Sequence, residues 1–187
     1  MLVALVAAAS ASPAAPPKLS ISGGSSTIQA GQSSALYTVA LSGATGPATV
    51  ALSSTSSTGT FSPGQSINIP ANGSSATFSY SDTTAGSPTI TAKASGSFKG
   101  NPNASKQVTV TAGPAVQIAV SPTSSTIDTN GQQPYAVTGK DQWGNNTGDV
   151  TGGTSFSISS GGSCSANTCS AASPGAYTVT ATYPGGL

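Results

Sequence analysis

One strand pattern occurs twice in this chain, and it restricts the fold more than any other feature. Gly86-Ser87-Pro88-Thr89-Ile90-Thr91-Ala92 matches Gly175-Ala176-Tyr177-Thr178-Val179-Thr180-Ala181, and the second copy runs on through Thr182 and Tyr183. Successive side chains on a strand point to opposite faces, so Tyr177, Val179, Ala181 and Tyr183 share one face, and Thr178, Thr180 and Thr182 share the other. That is the alternation of a half-buried antiparallel strand. After the first copy the chain continues into another alternating stretch, Lys106-Gln107-Val108-Thr109-Val110-Thr111, whereas Tyr183 is followed only by Pro184-Gly185-Gly186-Leu187.

Other pieces repeat in the same order. Ser25-Ser26-Thr27-Ile28 returns as Ser124-Ser125-Thr126-Ile127, and Gly31-Gln32 returns as Gly131-Gln132. Each pair then leads into an aromatic strand, Leu36-Tyr37-Thr38-Val39 and Pro134-Tyr135-Ala136-Val137. Between these landmarks lie further short alternating stretches, among them Ala48–Leu52, Ser66–Ile69, Ala76–Tyr80 and Val116–Ser121, separated by clusters of Gly, Pro, Asn and Ser. Such spacing suits an all-β sandwich, and no window carries a helical period with caps. The expectation is two tandem immunoglobulin-like β-sandwiches of about a hundred residues or slightly less each. Residues 1–17 form an apolar segment with a Pro-rich linker, 18–112 the first sandwich and 113–187 the second, which lacks its last strand. Ala112-Gly113-Pro114 reads as the linker between them.

Composition removes several functions. Charged residues are 5% of the chain, far below the usual ~25%. Ser and Thr together make up roughly a third, well above ordinary usage. With 36% hydrophobic residues and a net charge of +1, this is a folded chain rather than a disordered one. Five scattered lysines and no arginine give no patch for nucleic acid or for an anionic membrane surface. The absence of His excludes a His-based catalytic triad. Asp82, Asp128, Asp141 and Asp149 all fall in turns, where Asp serves backbone hydrogen bonding, so no enzyme activity and no cofactor are expected.

The second unit resembles the bacterial immunoglobulin-like (Big) domains that occur in tandem on surface and secreted proteins. The resemblance rests on Val120-Ser121-Pro122, on the turn Asp141-Gln142-Trp143-Gly144-Asn145, on Gly162-Ser163-Cys164 to Cys169, and on Gly175 to Thr180. The first unit is similar through Phe61-Ser62-Pro63, Ile67 to Pro70, Ala76 to Asp82 and Ala85 to Ala92. Together these cover most of the chain from Lys18 to Gly185. The resemblance implies a fold and an extracellular or cell-surface location, with no chemistry attached.

Several residues still ask for a reading. Cys164 and Cys169 enclose four residues; a disulfide across a short hairpin is expected, with a free thiol pair in a reducing cell as the alternative. Asp141, Asn145, Asn146 and Asp149 form the densest oxygen cluster, open to calcium or to a plain turn with Gly144 at positive φ. Trp143, the one tryptophan, is expected to be buried or to cap an end of the core rather than to serve as a ligand platform. Asn72, Asn103 and Asn145 head glycosylation sequons in expected loops.

At the other end, Met1 to Ser12 reads either as a truncated signal peptide or as an apolar strand of the mature protein; it is too short to span a bilayer. As a strand, Leu2-Val3-Ala4-Leu5-Val6 is a donor whose acceptor groove is lined by Tyr177, Val179, Ala181 and Tyr183. The expected function is therefore a structural subunit of an extracellular filament. Its partners are neighbouring copies of itself, joined head to tail by donor-strand complementation, with glycans as further possible decoration. The alternative is a spacer or stalk fragment of a longer adhesin or secreted enzyme.

Overall fold

The computed structural model describes residues 16–44 and 46–184. Among these the chain builds strands, turns and one 3-10 turn, Thr151–Gly153, with no α-helix. The first ten strands are β1 (Lys18–Gly23), β2 (Thr27–Gln29), β3 (Tyr37–Ser42), β4 (Ala48–Ser54) and β5 (Thr60–Ser62), then β6 (Ser66–Ile69), β7 (Ser75–Ser81), β8 (Thr89–Gly96), β9 (Asn103–Gln107) and β10 (Thr109–Thr111). Eight follow: β11 (Gln117–Ser121), β12 (Gln133–Pro134), β13 (Ala136–Lys140), β14 (Asn146–Asp149), β15 (Ser155–Ile158), β16 (Gly162–Ser165), β17 (Thr168–Ala171) and β18 (Val179–Thr182). Every sheet takes its strands from one side of Ala112-Gly113-Pro114.

In the first unit the sheets β1-β3-β7-β5 and β6-β4-β8-β9 face each other, and β2 pairs in parallel with β10. The alternating sequence dictates which side chains go inside. Tyr37, Val39 and Leu41 of β3, Val50 and Leu52 of β4, and Ile90, Ala92 and Ala94 of β8 are all buried. The Tyr37 and Phe78 rings stack with centroids 5.2 Å apart, and Phe61 tilts against Tyr80 at 5.2 Å. Each fully buried side chain of this size contributes about 1.5–3 kcal/mol of transfer free energy, so this cluster dominates the stability of the molecule.

The closing strand is what seals that core. β9 runs antiparallel along β8, and the chain then crosses to pair as β10 with β2. Val108 and Val110, two residues apart and therefore on one face, plug the seam between the sheets and are buried.

The second unit repeats the plan with sheets β11-β13-β14, β12-β17-β16 and β15-β18. Its inward faces alternate as the sequence requires, yet Ile118, Val120, Tyr135, Phe156, Ile158 and Val179 stop at half-burial. Among the described residues, only Val137 and Cys169 of its strands are fully buried apolar side chains. Ser124–Ile127, expected to repeat the start of β2, forms no strand. β2 exists because β10 supplies its hydrogen bonds, and nothing in the described second unit does the same.

Ala112-Gly113-Pro114 carries no strand of its own and runs between the two sets of sheets; Gly113 and, just beyond it, Ala115 are buried, while Pro114 is exposed.

Candidate functional site: an open strand edge and the joint beneath it

Among the described strands β18 pairs with β15 alone, with Phe156 opposite Ala181 and Ile158 opposite Val179. Thr178 turns both backbone groups towards Ser159: its carbonyl accepts from the Ser159 N–H at 3.0 Å and its N–H donates to Ser159 Oγ at 3.2 Å. Because these directions alternate along an antiparallel strand, the N–H and C=O groups of Tyr177, Val179 and Ala181 point to the opposite edge. In the first unit the corresponding edge of β8 carries β9, and Pro88 C=O accepts from Val108 N–H at 3.0 Å. No described strand occupies that edge of β18.

Beside this edge lies a cavity of about 730 Å³ whose apolar lining includes Ile127, Tyr135, Ile158, Cys169, Tyr177 and Val179. Of the four groove residues expected from the sequence, Tyr177 and Val179 line it. All four are half-buried on one face, but Ala181 faces Phe156 and Tyr183 lies against Gly153, beyond the cavity. Ile127, Tyr135 and Ile158 were not identified by alternation along a single strand, because they come from three separate segments. The repeat of Ser25–Ile28 at Ser124–Ile127 was the usable signal for Ile127. The donor residues Leu2, Val3, Ala4, Leu5 and Val6 lie outside the described residues.

The disulfide forms between Cys164 and Cys169, which face each other directly across the β16–β17 hairpin. Ala166 turns the hairpin with φ at 50°. Cys169 is buried on the floor of the cavity, so the bond anchors the wall on which Tyr135 and Asn167 meet through a 2.7 Å hydrogen bond from Asn167 Nδ2 to the Tyr135 carbonyl.

The cluster weighed for calcium serves another purpose. Asp141 is buried, and its two carboxylate oxygens accept from four donors: the Trp143 and Asn145 N–H groups at 2.9 Å each, the Gly113 N–H at 2.9 Å and Asn145 Nδ2 at 2.8 Å. Asn145 also reaches the first unit, donating to the Thr83 carbonyl at 2.8 Å and accepting from the Ala85 N–H at 2.9 Å. Asn146 and Asp149 are spent elsewhere, on the Gly148 and Thr151 N–H groups. N–H donors therefore hold the carboxylate where a cation would need it. Burial by itself would raise the Asp141 carboxyl; the Asn145 amide and the Gly113, Asn145 and Trp143 N–H groups outweigh it and hold the carboxyl below its usual value.

Trp143 is not buried: 40% of it is exposed, and its indole sits against Gly31 of the first unit. A Cβ on Gly31 would come within 2.0 Å of the ring, and Gly31 holds φ at 80°. The D-x-W-G-N turn is thus the fastening between the two units, with Gly144 at φ 84° as the turn requires. Glycosylation at Asn145 would cost one of the two Nδ2 bonds, and the sequon's Thr147 hydroxyl is buried. Asn72 and Asn103 are exposed.

No family model matches the sequence, and no curated protein does. Solved structures do match in part. Domains 5-6 of the S-layer protein SbsC are 18% identical over 88% of this chain and 91% of that one, with a TM-score of 0.36. The D0-D1 domain of Intimin is 17% identical over 89% of this chain and 90% of that one, at 0.38. The chain spans 21% of the six-domain SbsC structure (domains 1-6), at 19% identity over 87% of this chain and a TM-score of 0.37.

Proposed function

We propose that this chain is a non-enzymatic structural subunit of an extracellular filament or surface appendage, assembled head to tail by donor-strand complementation. The observation that carries this reading is the edge of β18 beside a cavity with apolar lining, an edge that no described strand covers, in a repeat whose partner unit has it covered. Exposed edges of this kind accept strands from other chains. A disulfide and a nearly uncharged, Ser/Thr-rich surface fit an oxidising, extracellular setting.

Geometry favours a donor from another copy. Lys18 pairs with Ser42, at the end of the first unit opposite to the joint. The cavity is lined by Ile127, Gln133, Gly175 and their neighbours, and by none of the joint residues Asp141, Trp143 and Asn145. At strand rise, Gly86 to Gly96 covers about 33 Å and Gly175 to Thr182 about 23 Å, which sum to about 56 Å for units stacked end to end. The dozen or so residues from Val6 to Lys18 reach at most about 43 Å when fully extended. With the units stacked end to end, the segment falls short of the groove of its own chain, and exchange between copies propagates as an open array.

Deleting Met1 to Ser12 tests the proposal. Sizing and negative-stain microscopy should show polymers of the full chain and monomers of the shortened one. Unchanged polymers after the deletion would rule the mechanism out. A full chain that stays monomeric would favour a spacer module whose edge is covered by other sequence.

A further inference from the structure

The first unit shows how this fold seats its closing strand, and the repeat transfers that seating to the open groove. Ile90 pairs with Lys106, Pro88 C=O takes the Val108 N–H, and Gly86 bridges Val110, which in turn lies parallel to Ile28. Through the repeated segments, Ile90, Pro88, Gly86 and Ile28 correspond to Val179, Tyr177, Gly175 and Ile127. Those four residues all line the cavity. The cavity is thus the space that Lys106, Val108 and Val110 fill in the first unit, and its two deep seats are those of Val108 and Val110.

Resting on the filament reading above, we infer that the groove takes Val3 and Leu5 of a second copy into these two seats. That strand runs antiparallel to β18 and parallel to Thr126–Asp128. The direction follows from β9 and β10, which stand in those relations to β8 and β2. The face follows from chemistry: within Leu2-Val3-Ala4-Leu5-Val6-Ala7-Ala8-Ala9, Val3 and Leu5 are the one pair two residues apart in which both side chains are larger than Ala. Filling two β-branched-sized seats with anything smaller leaves a void, at a cost that grows with the void's volume. The opposite face, Leu2 and Ala4, then points outward beside the exposed Thr126.

Two paired variants of the full chain test this. Val3→Asp with Leu5→Asp should lower the polymerised fraction at least tenfold, while Leu2→Asp with Ala4→Asp should leave most of it. In a third variant, Ala4→Cys with Thr126→Cys should join neighbouring copies through a short bismaleimide, as the parallel relation requires. The inference is overturned if the Val3/Leu5 variant polymerises like its parent, or if the Leu2/Ala4 variant fails equally. Cross-linking of Ala4→Cys to Thr182→Cys in place of Thr126→Cys overturns the direction. A parent chain that polymerises, and needs Met1 to Ser12 to do so, upholds the filament reading whichever face is used. A parent that never polymerises removes both.

Discussion

Ile28 and Ile127 occupy the same place in two copies of one sequence pattern, yet the first is 6% exposed and the second 41%. The same divergence runs through the two units. Tyr37, Ile90 and Ala92 are sealed, while Tyr135, Val179 and Ala181 remain half-buried. Local sequence does not account for this, because the alternation is equally good in both. What differs is the closing segment: β9 and β10 cover the first unit's seam, and no described strand covers the second's. Burial in a sandwich belongs to the assembled pair of sheets, so removing one edge strand loosens residues drawn from every other strand around the seam.

The largest expected effect separates the units outright. A fragment of residues 18–113 should unfold cooperatively by itself, because its core is closed. A fragment of residues 114–187 should show no cooperative transition until a complementing strand is added. Chemical denaturation followed by circular dichroism checks both, and a cooperative transition in the second fragment alone would break the comparison.

Next come matched truncations in the whole chain. Phe78→Ala removes a fully buried ring that stacks on Tyr37 and should cost about 3–5 kcal/mol. Phe156→Ala, whose ring is half-buried and 6.3 Å from Tyr135, should cost roughly half of that. Equal losses in urea titrations would mean that the second core is as tight as the first.

The joint ranks third. Asp141→Asn places an N–H₂ group against N–H donors and should cost about 2–3 kcal/mol, the range for losing hydrogen bonds to a buried charge. Small-angle scattering should then report a wider spread of unit orientations. The pH dependence has a definite sign. The Asp141 carboxyl is held below its usual value in the fold, so its contribution is complete above about pH 4 and is lost as pH falls through the depressed value. Burial would raise the Asp82 carboxyl, but the Thr58 and Tyr80 hydroxyls and the Thr84 N–H hold it low, so it adds the same acid-side loss within the first unit. Asp141→Asn should flatten the loss at the joint and leave that of the first unit. An unaltered acid profile for both would contradict the assignment.

Smallest is the disulfide. Native mass analysis should show the Cys164–Cys169 bond as a loss of two hydrogens, with no thiol open to labelling. The loop it closes is short, so reduction should cost no more than about 2 kcal/mol, confined to the second unit. Labelling of both cysteines without reductant would refute the bond.

How much of this was legible in the chain follows from range. Alternation over a few residues announced the strands, and the turn chemistry of Gly, Pro and Asn announced their ends. The face shared by Tyr177, Val179, Ala181 and Tyr183 was readable because strand period is a local property. The role of Asp141-Gln142-Trp143-Gly144-Asn145 was not. Its turn was legible, but its partners Gly31, Thr83, Ala85 and Gly113 are remote in the chain. The sequence left Trp143 looking like a core residue because composition shows that an indole needs cover without showing which surface gives it.

By itself, then, the order of residues determined an all-β chain of two like units and which side chains face inward. Only the tertiary structure decided which inward faces are actually closed, that the linker is tied at buried Gly113 to the Asp141 turn, and that the groove gathers Ile127, Tyr135 and Ile158 from separate segments. The physical reason is that side-chain direction is set by the backbone within a few residues. Burial depends on what lies across the gap, and among the described residues the two units differ in whether a strand is there.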